Sequence, residues 1–412
     1  MTTQVRSKFD VGGVELDRPF KVRRLGHFGY NLDKMEECLH FYRDLLGFQV
    51  TDEMDWSGRV QDPKVLEGLG PHGAFFRFNT DHHALVLFNR KVLAAMRGGP
   101  GAMQFKSEID INQITWQVGS LEEVVNAGQW LTDEIVRISR MGRDMPGSNW
   151  HTYFFDPDGH TNELYYGMEQ IGWQGHSKPR AMYNRRFGER PELPQINEVQ
   201  EVRDAEAQGI DVTSGYRPTP TMEASYNVNG ILLPRPFKVV RLSPIGLFVD
   251  DVAASQAFYE KYLGFTTTEE ATIGGAPAAF LRANTEHHIL TLLSKSARTT
   301  LGMSPDTTSA FFGVQLANYR QLKDAVSFLR DHGVRVDDNV PAELHPGVDY
   351  AAHAFDPEGH CVLLYYYMEQ IGWDGKPRPQ SARRQVTPGI WPATLPALPD
   401  SFGGEPYLGP WG

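Results

Sequence analysis

Apolar positions in this chain keep two rhythms, and the rhythms recur in a fixed order. Residues 22–32 form an apolar-rich run suited to a strand. Over 34–46, Cys38, Phe41, Tyr42, Leu45 and Leu46 return at helical spacing, and Gly47 suits the stop of that helix. Residues 74–79 and 84–88 then read as paired strands. The run 111–118 opens a second unit of the same kind. Ser120, with Glu123 three residues later, gives a capping-box pattern for the helix that follows. Residues 152–155 and 162–166 predict a hairpin around Asp156-Pro157-Asp158-Gly159, residue types that suit a tight turn.

The whole pattern occurs twice. LDRPFKVRRLGHFGYNL at 16–32 returns as LPRPFKVVRLSPIGLFV at 233–249, and FYRDLLGF at 41–48 as FYEKYLGF at 258–265. FFRFNTDHHALVLF at 75–88 returns as FLRANTEHHILTLL at 280–293. FDPDGHTNELYYGMEQIGW at 155–173 returns as FDPEGHCVLLYYYMEQIGW at 355–373. The offset shrinks toward the C-terminus, so the second copy has shorter loops. Four ordered matches establish an internal duplication. The expected fold is α+β, a tandem duplication in which each domain has two βαβββ units, forming a curved, partly open, barrel-like mixed sheet with helices outside. The expected boundaries are a first domain over 1–175, a linker over 176–226, a second domain over 227–374 and a Pro/Gly-rich tail over 375–412.

Composition narrows the setting. A length of 412 residues suits two cores rather than one. The net charge of -11 disfavours nucleic acid and anionic membranes as partners. No apolar run approaches the roughly 18 residues of a membrane span. The opening MTTQVRSKFDVGG lacks the apolar stretch of a signal peptide. Two lone cysteines, Cys38 and Cys361, fit a reducing, cytoplasmic compartment.

RLGHFGYNLDKMEECLHFYRDLLGF, TDHHALVL and DPDGHTNELYY together resemble the vicinal-oxygen-chelate superfamily, and within it the two-domain type I extradiol catechol dioxygenases. The resemblance covers both halves. It implies a divalent metal on two His and one carboxylate, with His27 at the first His position and Glu163 at the carboxylate position. The second His position falls on Gln113, a weaker neutral oxygen ligand that glyoxalase-like members also use. The resemblance implies an acid/base His at His82 or His83 and an active-site Tyr at Tyr153. A further family His is replaced by Asp144, and Asp144 or His151 is a candidate to stand in for it. Phe76, Trp116, Trp150 and Phe155 are candidates to line an aromatic pocket.

The duplication is also an internal control, because features kept in both copies are more scaffold-like than features kept in one. His27 corresponds to Pro244, Gln113 to the stretch 311–313, Glu163 to Leu363, Tyr153 to His353 and His151 to Ala351. The second domain is therefore expected to bind no metal at these positions. His82 and His83 correspond to His287 and His288, and His160 to His360, which keeps a scaffold reading open for them. The leading expectation is an extradiol-type dioxygenase that uses Fe(II), with Mn, Zn or Ni as alternatives, on a small aromatic substrate with O2, in a homo-oligomer. A glyoxalase-like isomerase or lyase and a non-catalytic small-molecule-binding protein are the competing readings.

Overall fold

The first rhythm becomes one sheet. The computed structural model describes residues 8–96, 108–143, 147, 149–172, 174–183 and 197–396. After a hairpin of β1 (Phe9–Val11) and β2 (Val14–Leu16), the first half runs β3 (Arg24–Leu32), α1 (Met35–Leu39), β4 (Gln49–Met54), β5 (Gly73–Arg77), β6 (Leu85–Asn89) and α2 (Arg90–Met96). It continues with β7 (Ile111–Gln117), α3 (Leu121–Asp133), β8 (Ile138–Arg143), β9 (Trp150–Phe155) and β10 (Thr161–Tyr166). The sheet order is β4-β5-β6-β3-β7-β10-β9-β8. Each unit contributes four neighbouring strands, and the units meet along β3 and β7.

A segment over 176–226 follows and includes α4 (Glu198–Ala207). The second half then repeats the plan: β11 (Tyr226–Val228), β12 (Ile231–Leu233), β13 (Val239–Val249), α5 (Val252–Phe258), β14 (Thr266–Ile273), β15 (Ala276–Arg282) and β16 (Leu290–Ser294). It ends with β17 (Ser309–Leu316), α6 (Tyr319–Asp331), β18 (Val336–Asp337), β19 (Ala351–Phe355) and β20 (Cys361–Tyr365), in the equivalent sheet order. No helix among the described residues is long and apolar enough to cross a membrane.

Local sequence accounts for the joints. Ser120 caps α3 by accepting the Glu123 N–H at 3.1 Å. The Glu123 carboxylate accepts the Lys21 N–H at 2.9 Å, which ties the helix to the segment before β3. The predicted helix over 34–46 is α-helical only through Leu39 and then widens into a π-helical turn, His40–Leu45. That turn buries Phe41, Tyr42 and Leu45. Asp156 closes the predicted hairpin by accepting the N–H groups of Gly159 and His160, both at 2.8 Å.

The helix-covered faces of both sheets share one apolar core. Phe28, Ile114, Trp116 and Phe154 of the first half join Ile245, Leu247 and Phe312 of the second. The halves are joined by a symmetric pair of polar contacts. Tyr42 donates to Asp356 at 3.0 Å, and its counterpart Tyr259 donates to Asp156 at 2.9 Å. His160 and His360 brace those same aspartates through Nδ1, at 2.8 and 2.9 Å. Both histidines are therefore parts of the domain joint.

The opposite faces differ. In the second half that face is filled by Phe280, Phe311, Leu363, Tyr365 and Met368. In the first half a smaller apolar cluster, including Trp56, Phe75 and Phe88, covers only one end. The rest is polar.

Candidate functional site

Strand register assembles the polar patch. Thr115 on β7 pairs with His27 on one side and Glu163 on the other. Glu163 pairs onward with Tyr153, and Tyr153 with Arg140 on the edge strand. Residues directly opposite one another point to the same face, so His27, Thr115, Glu163, Tyr153 and Arg140 form a row across the sheet. A register shift between Leu25 and His27 makes this possible. Leu25 belongs to the shared core, and simple alternation would send His27 there too; the bulge turns His27 to the other face. At Gly26 a Cβ would lie 2.2 Å from the Tyr165 ring, so the bulge needs glycine there.

His27 Nε2 lies 3.1 Å from Glu163 Oε2. The same oxygen accepts the Thr115 hydroxyl at 2.8 Å, and Oε1 accepts the Asn149 amide at 2.8 Å. His151 Nδ1 stands 3.9 Å from Oε1. His27 and Glu163 are fully buried. Burial pushes the Glu163 carboxyl up, but His27, His151 and Thr115 outweigh it and hold it at about 2. Burial pulls His151 down to about 3 despite Glu163. The carboxylate is thus ionised beside neutral His151.

His83 is the inward member of the His82–His83 pair. Its ring meets the His27 ring edge to face, with centroids 4.3 Å apart. Burial, His27 and His82 all push its pKa well below the usual imidazole value. His82 points away: its Nδ1 meets His83 Nδ1 at 3.0 Å, and its Nε2 meets Asp52 at 2.8 Å. Tyr153 is buried beside His151, with ring centroids 4.6 Å apart, and the Arg140 guanidinium lies 4.2 Å above its ring.

Gln113 sits two residues along the same face of β7, opposite Gly29. The hydroxyl that bonds Glu163 is that of Thr115, between the two predicted ligands. Asp144 lies outside the described residues. The expected aromatic lining is corrected by strand alternation. Phe76 and Trp116 are in the shared core, Trp150 packs against that core, and only Phe155 shares the face of Tyr153. Phe75 is the aromatic side chain that lies against His83, with ring centroids 5.0 Å apart.

The sequence reading passed over Thr115, Asn149, Asp52 and Phe75. Thr115 carried a usable signal, because its counterpart by register is Gly313. Asp52 carried another: its counterpart is Glu269, an acid kept beside a His pair in both copies.

In the second half Pro244, Phe311 and Leu363 take the places of His27, Gln113 and Glu163. The Phe311 ring lies over Gly246, where a Cβ would be 2.4 Å from it. His345 and His353 are buried nearby and bonded to each other at 2.8 Å.

Two ligands about 2.0–2.2 Å from one divalent ion and at right angles lie about 3 Å apart. The 3.1 Å spacing of His27 Nε2 and Glu163 Oε2 fits that edge. His27 Nδ1 is buried and has no hydrogen-bond partner among the described residues. No group of three or more His, Cys, Asp or Glu that could hold a metal occurs among the described residues. A bound ion would therefore complete its shell with amide or hydroxyl oxygens on the same face, or with water.

Comparisons with known proteins agree with this architecture. The family model for the Glyoxalase/Bleomycin resistance protein/Dioxygenase superfamily matches residues 24–164 and 241–364. A halotolerant catechol dioxygenase has a similar structure, with 16% identity, 87% of this chain and 91% of that chain covered, and a TM-score of 0.53. The 2,3-dioxygenase LapB from Pseudomonas sp. KL28 gives 16% identity, 87% and 96% coverage and a TM-score of 0.55. The Mn(II)-bound glyoxalase from Novosphingobium aromaticivorans gives 15% identity, 86% and 85% coverage and a TM-score of 0.53. At such identities the likeness concerns the fold. A comparison with curated protein sequences gave no match.

Proposed function

Because the chain belongs to the Glyoxalase/Bleomycin resistance protein/Dioxygenase superfamily, we propose that it is a metal-dependent, extradiol-type dioxygenase that opens the ring of a small catechol-like aromatic with O2. The observation that carries this reading is the buried 3.1 Å approach of His27 Nε2 to Glu163 Oε2. His27 and Glu163 would hold the ion, with Gln113 as the third protein donor. Fe(II) is the first choice, and Mn, Zn or Ni are alternatives. The bound ion would supply Lewis acidity and open coordination positions for vicinal oxygens.

The protein's own groups do the rest. Neutral His83 would accept the proton of a substrate hydroxyl. Tyr153 would orient the substrate from the Glu163 side, and Phe75 would pack against the aromatic ring. Thr115 and Asn149 keep the Glu163 carboxylate ionised and aimed. The second domain, packed with apolar side chains at the equivalent face, would support the first through the shared core.

The neutral oxygen donor at Gln113, in place of an imidazole, favours a second reading as a glyoxalase-like isomerase or lyase that does not use O2. Elemental analysis after anaerobic purification and exposure to Fe, Mn and Zn together separates the two. About one Fe per chain, lost in Glu163→Ala, with O2 uptake on a panel of catechols, supports the dioxygenase. One Zn or Mn and no O2 uptake moves the assignment to the isomerase or lyase. No metal above the variant's level removes both and leaves a ligand-binding protein.

A further inference from the structure

We infer that Arg140 is a specificity-determining residue that receives a carboxylate carried by the aromatic substrate, across the ring from its vicinal oxygens. The substrate class is then an acidic catechol. That class rests on the proposed function; recognition of an anionic ring by Arg140 does not.

Strand register places the arginine. Arg140 pairs with Tyr153, and Tyr153 with Glu163, on the neighbouring strands β8, β9 and β10. Strands in a sheet lie about 4.8 Å apart, so the row runs from the Glu163 backbone to the Arg140 backbone over roughly 10 Å. The arginine side chain then folds back, and its guanidinium lies 4.2 Å above the Tyr153 ring. A ring whose two oxygens face His27 and Glu163, and whose plane follows the row, passes Tyr153 before it meets Arg140. Stacking on Tyr153 holds the guanidinium in one orientation. Its N–H groups can then donate to both oxygens of a carboxylate. Arg140 is exposed at the edge of the sheet, where an entering molecule can reach it.

The duplication separates this arginine from the scaffold. Arg137 lies 4.3 Å over Phe155, and its counterpart Arg335 lies 3.7 Å over Phe355, so that contact belongs to both copies. Arg140 is not matched in this way. The residue that pairs with His353, the counterpart of Tyr153, is Asp337, which has the opposite charge. The backbone differs too. Ile138 packs against the shared core, and alternation would turn Arg140 the same way. A register shift between Ile138 and Arg140 turns it to the face of Tyr153 instead. In the second copy Val336 and Asp337 pair in regular register. The copy with His27 and Glu163 thus carries a bulge that brings a cation to the site face. The copy with Pro244 and Leu363 in their places presents an acid.

The test is anaerobic titration calorimetry of the full-length protein, with and without added Fe(II). The probes are 3,4-dihydroxybenzoate and 3,4-dihydroxyphenylacetate, each compared with its uncharged amide. The wild type should bind at least one acid about 10-fold more tightly than its amide, the scale of a hydrogen bond to a charged group. In Arg140→Gln the preference should fall to near unity. It should persist in part in Arg140→Lys, and in Arg140→Glu the amides should bind better. The ratio of acid to amide is the readout, because a purely structural arginine would shift both affinities alike. A wild type without a preference overturns the inference, whether it binds both members of a pair or neither. So does a preference that survives in folded Arg140→Gln. The assay needs neither turnover nor O2. Preference for the acid in a protein that holds no metal would sink the proposed reaction and leave Arg140's role standing, and O2 uptake on neutral catechols alone would do the reverse.

Discussion

His27 and Glu163 meet across a strand that belongs to neither. Their Nε2 and Oε2 atoms are 3.1 Å apart, although β7 runs between β3 and β10. Thr115, on that intervening strand, donates to the same Glu163 oxygen. A hydrogen bond to a buried charged group contributes about 1.5–3 kcal/mol, and its loss leaves the carboxylate partly unsatisfied. Thr115→Val should therefore destabilise the protein by about 2 kcal/mol and weaken metal retention, while Thr115→Ser should do neither. Denaturant unfolding with parallel metal analysis checks this. Equal stability for Val and Ser at this position would show that the hydroxyl does not hold the carboxylate.

Phe75 and Phe76 are neighbours on opposite faces of β5. Phe76 is in the shared core and Phe75 lies against His83. Phe76→Ala should cost about 3–5 kcal/mol through the cavity it leaves. Phe75→Ala should cost less and act mainly on ligand affinity, raising the Kd or KM for an aromatic ligand. Thermal midpoints and binding titrations of the two variants should rank them in opposite orders. The same order in both assays would place the aromatic wall elsewhere.

Strand alternation explains how much of this was legible in advance. The duplication and the α+β class followed from repeated motifs, while the pairing of His27 with Glu163 was implied by the resemblance to the superfamily and supported by contrast between the copies. The bulges were not visible, because an extra residue in a strand leaves the apolar pattern nearly unchanged while reversing the face of everything beyond it. Asp52, past the register shift that follows Val50, was hidden for that reason. Thr115 was hidden because the second His position of the resemblance falls on Gln113, one step along the same face. Phe76 was chosen over Phe75 because two adjacent phenylalanines do not say which one faces the core. The π-helical turn after Leu39 was read as continuous α-helix, since its apolar residues satisfy both spacings closely.

The symmetric joint predicts matched effects in the two halves. Tyr42→Phe removes a donor from Asp356, and Tyr259→Phe removes one from Asp156. Both aspartates are buried, and each keeps a histidine partner. Each variant should lose roughly 1.5–3 kcal/mol. Thermal unfolding followed by calorimetry should show both halves of the molecule shifting, because the core they border is shared. A shift confined to one separate transition would show that the halves unfold independently.

The joint is not perfectly symmetric, and the difference carries a pH dependence. His360 Nδ1 bonds Asp356 at 2.9 Å, and its Nε2 bonds Asp110 of the other half at 2.7 Å, while Tyr30 stacks on the ring at 4.1 Å. In His160, the equivalent Nε2 has no hydrogen-bond partner among the described residues. Burial pulls the His360 pKa down, but Asp356 and Asp110 outweigh it and raise it to about 10. In the unfolded chain it would be about 6.5. A pKa raised by folding contributes stability that is complete below the unfolded value and is lost as pH rises toward the folded one. The contribution should therefore be full below about pH 6.5 and decline progressively from there toward pH 10. Other groups also titrate in this window, so the useful quantity is the difference between wild type and His360→Asn. That difference in thermal midpoint should be largest near pH 6 and shrink toward pH 10, and Asp110→Asn should reduce the slope in the same direction. A difference that stays constant across the window would mean that His360 is not held as a cation between the two halves.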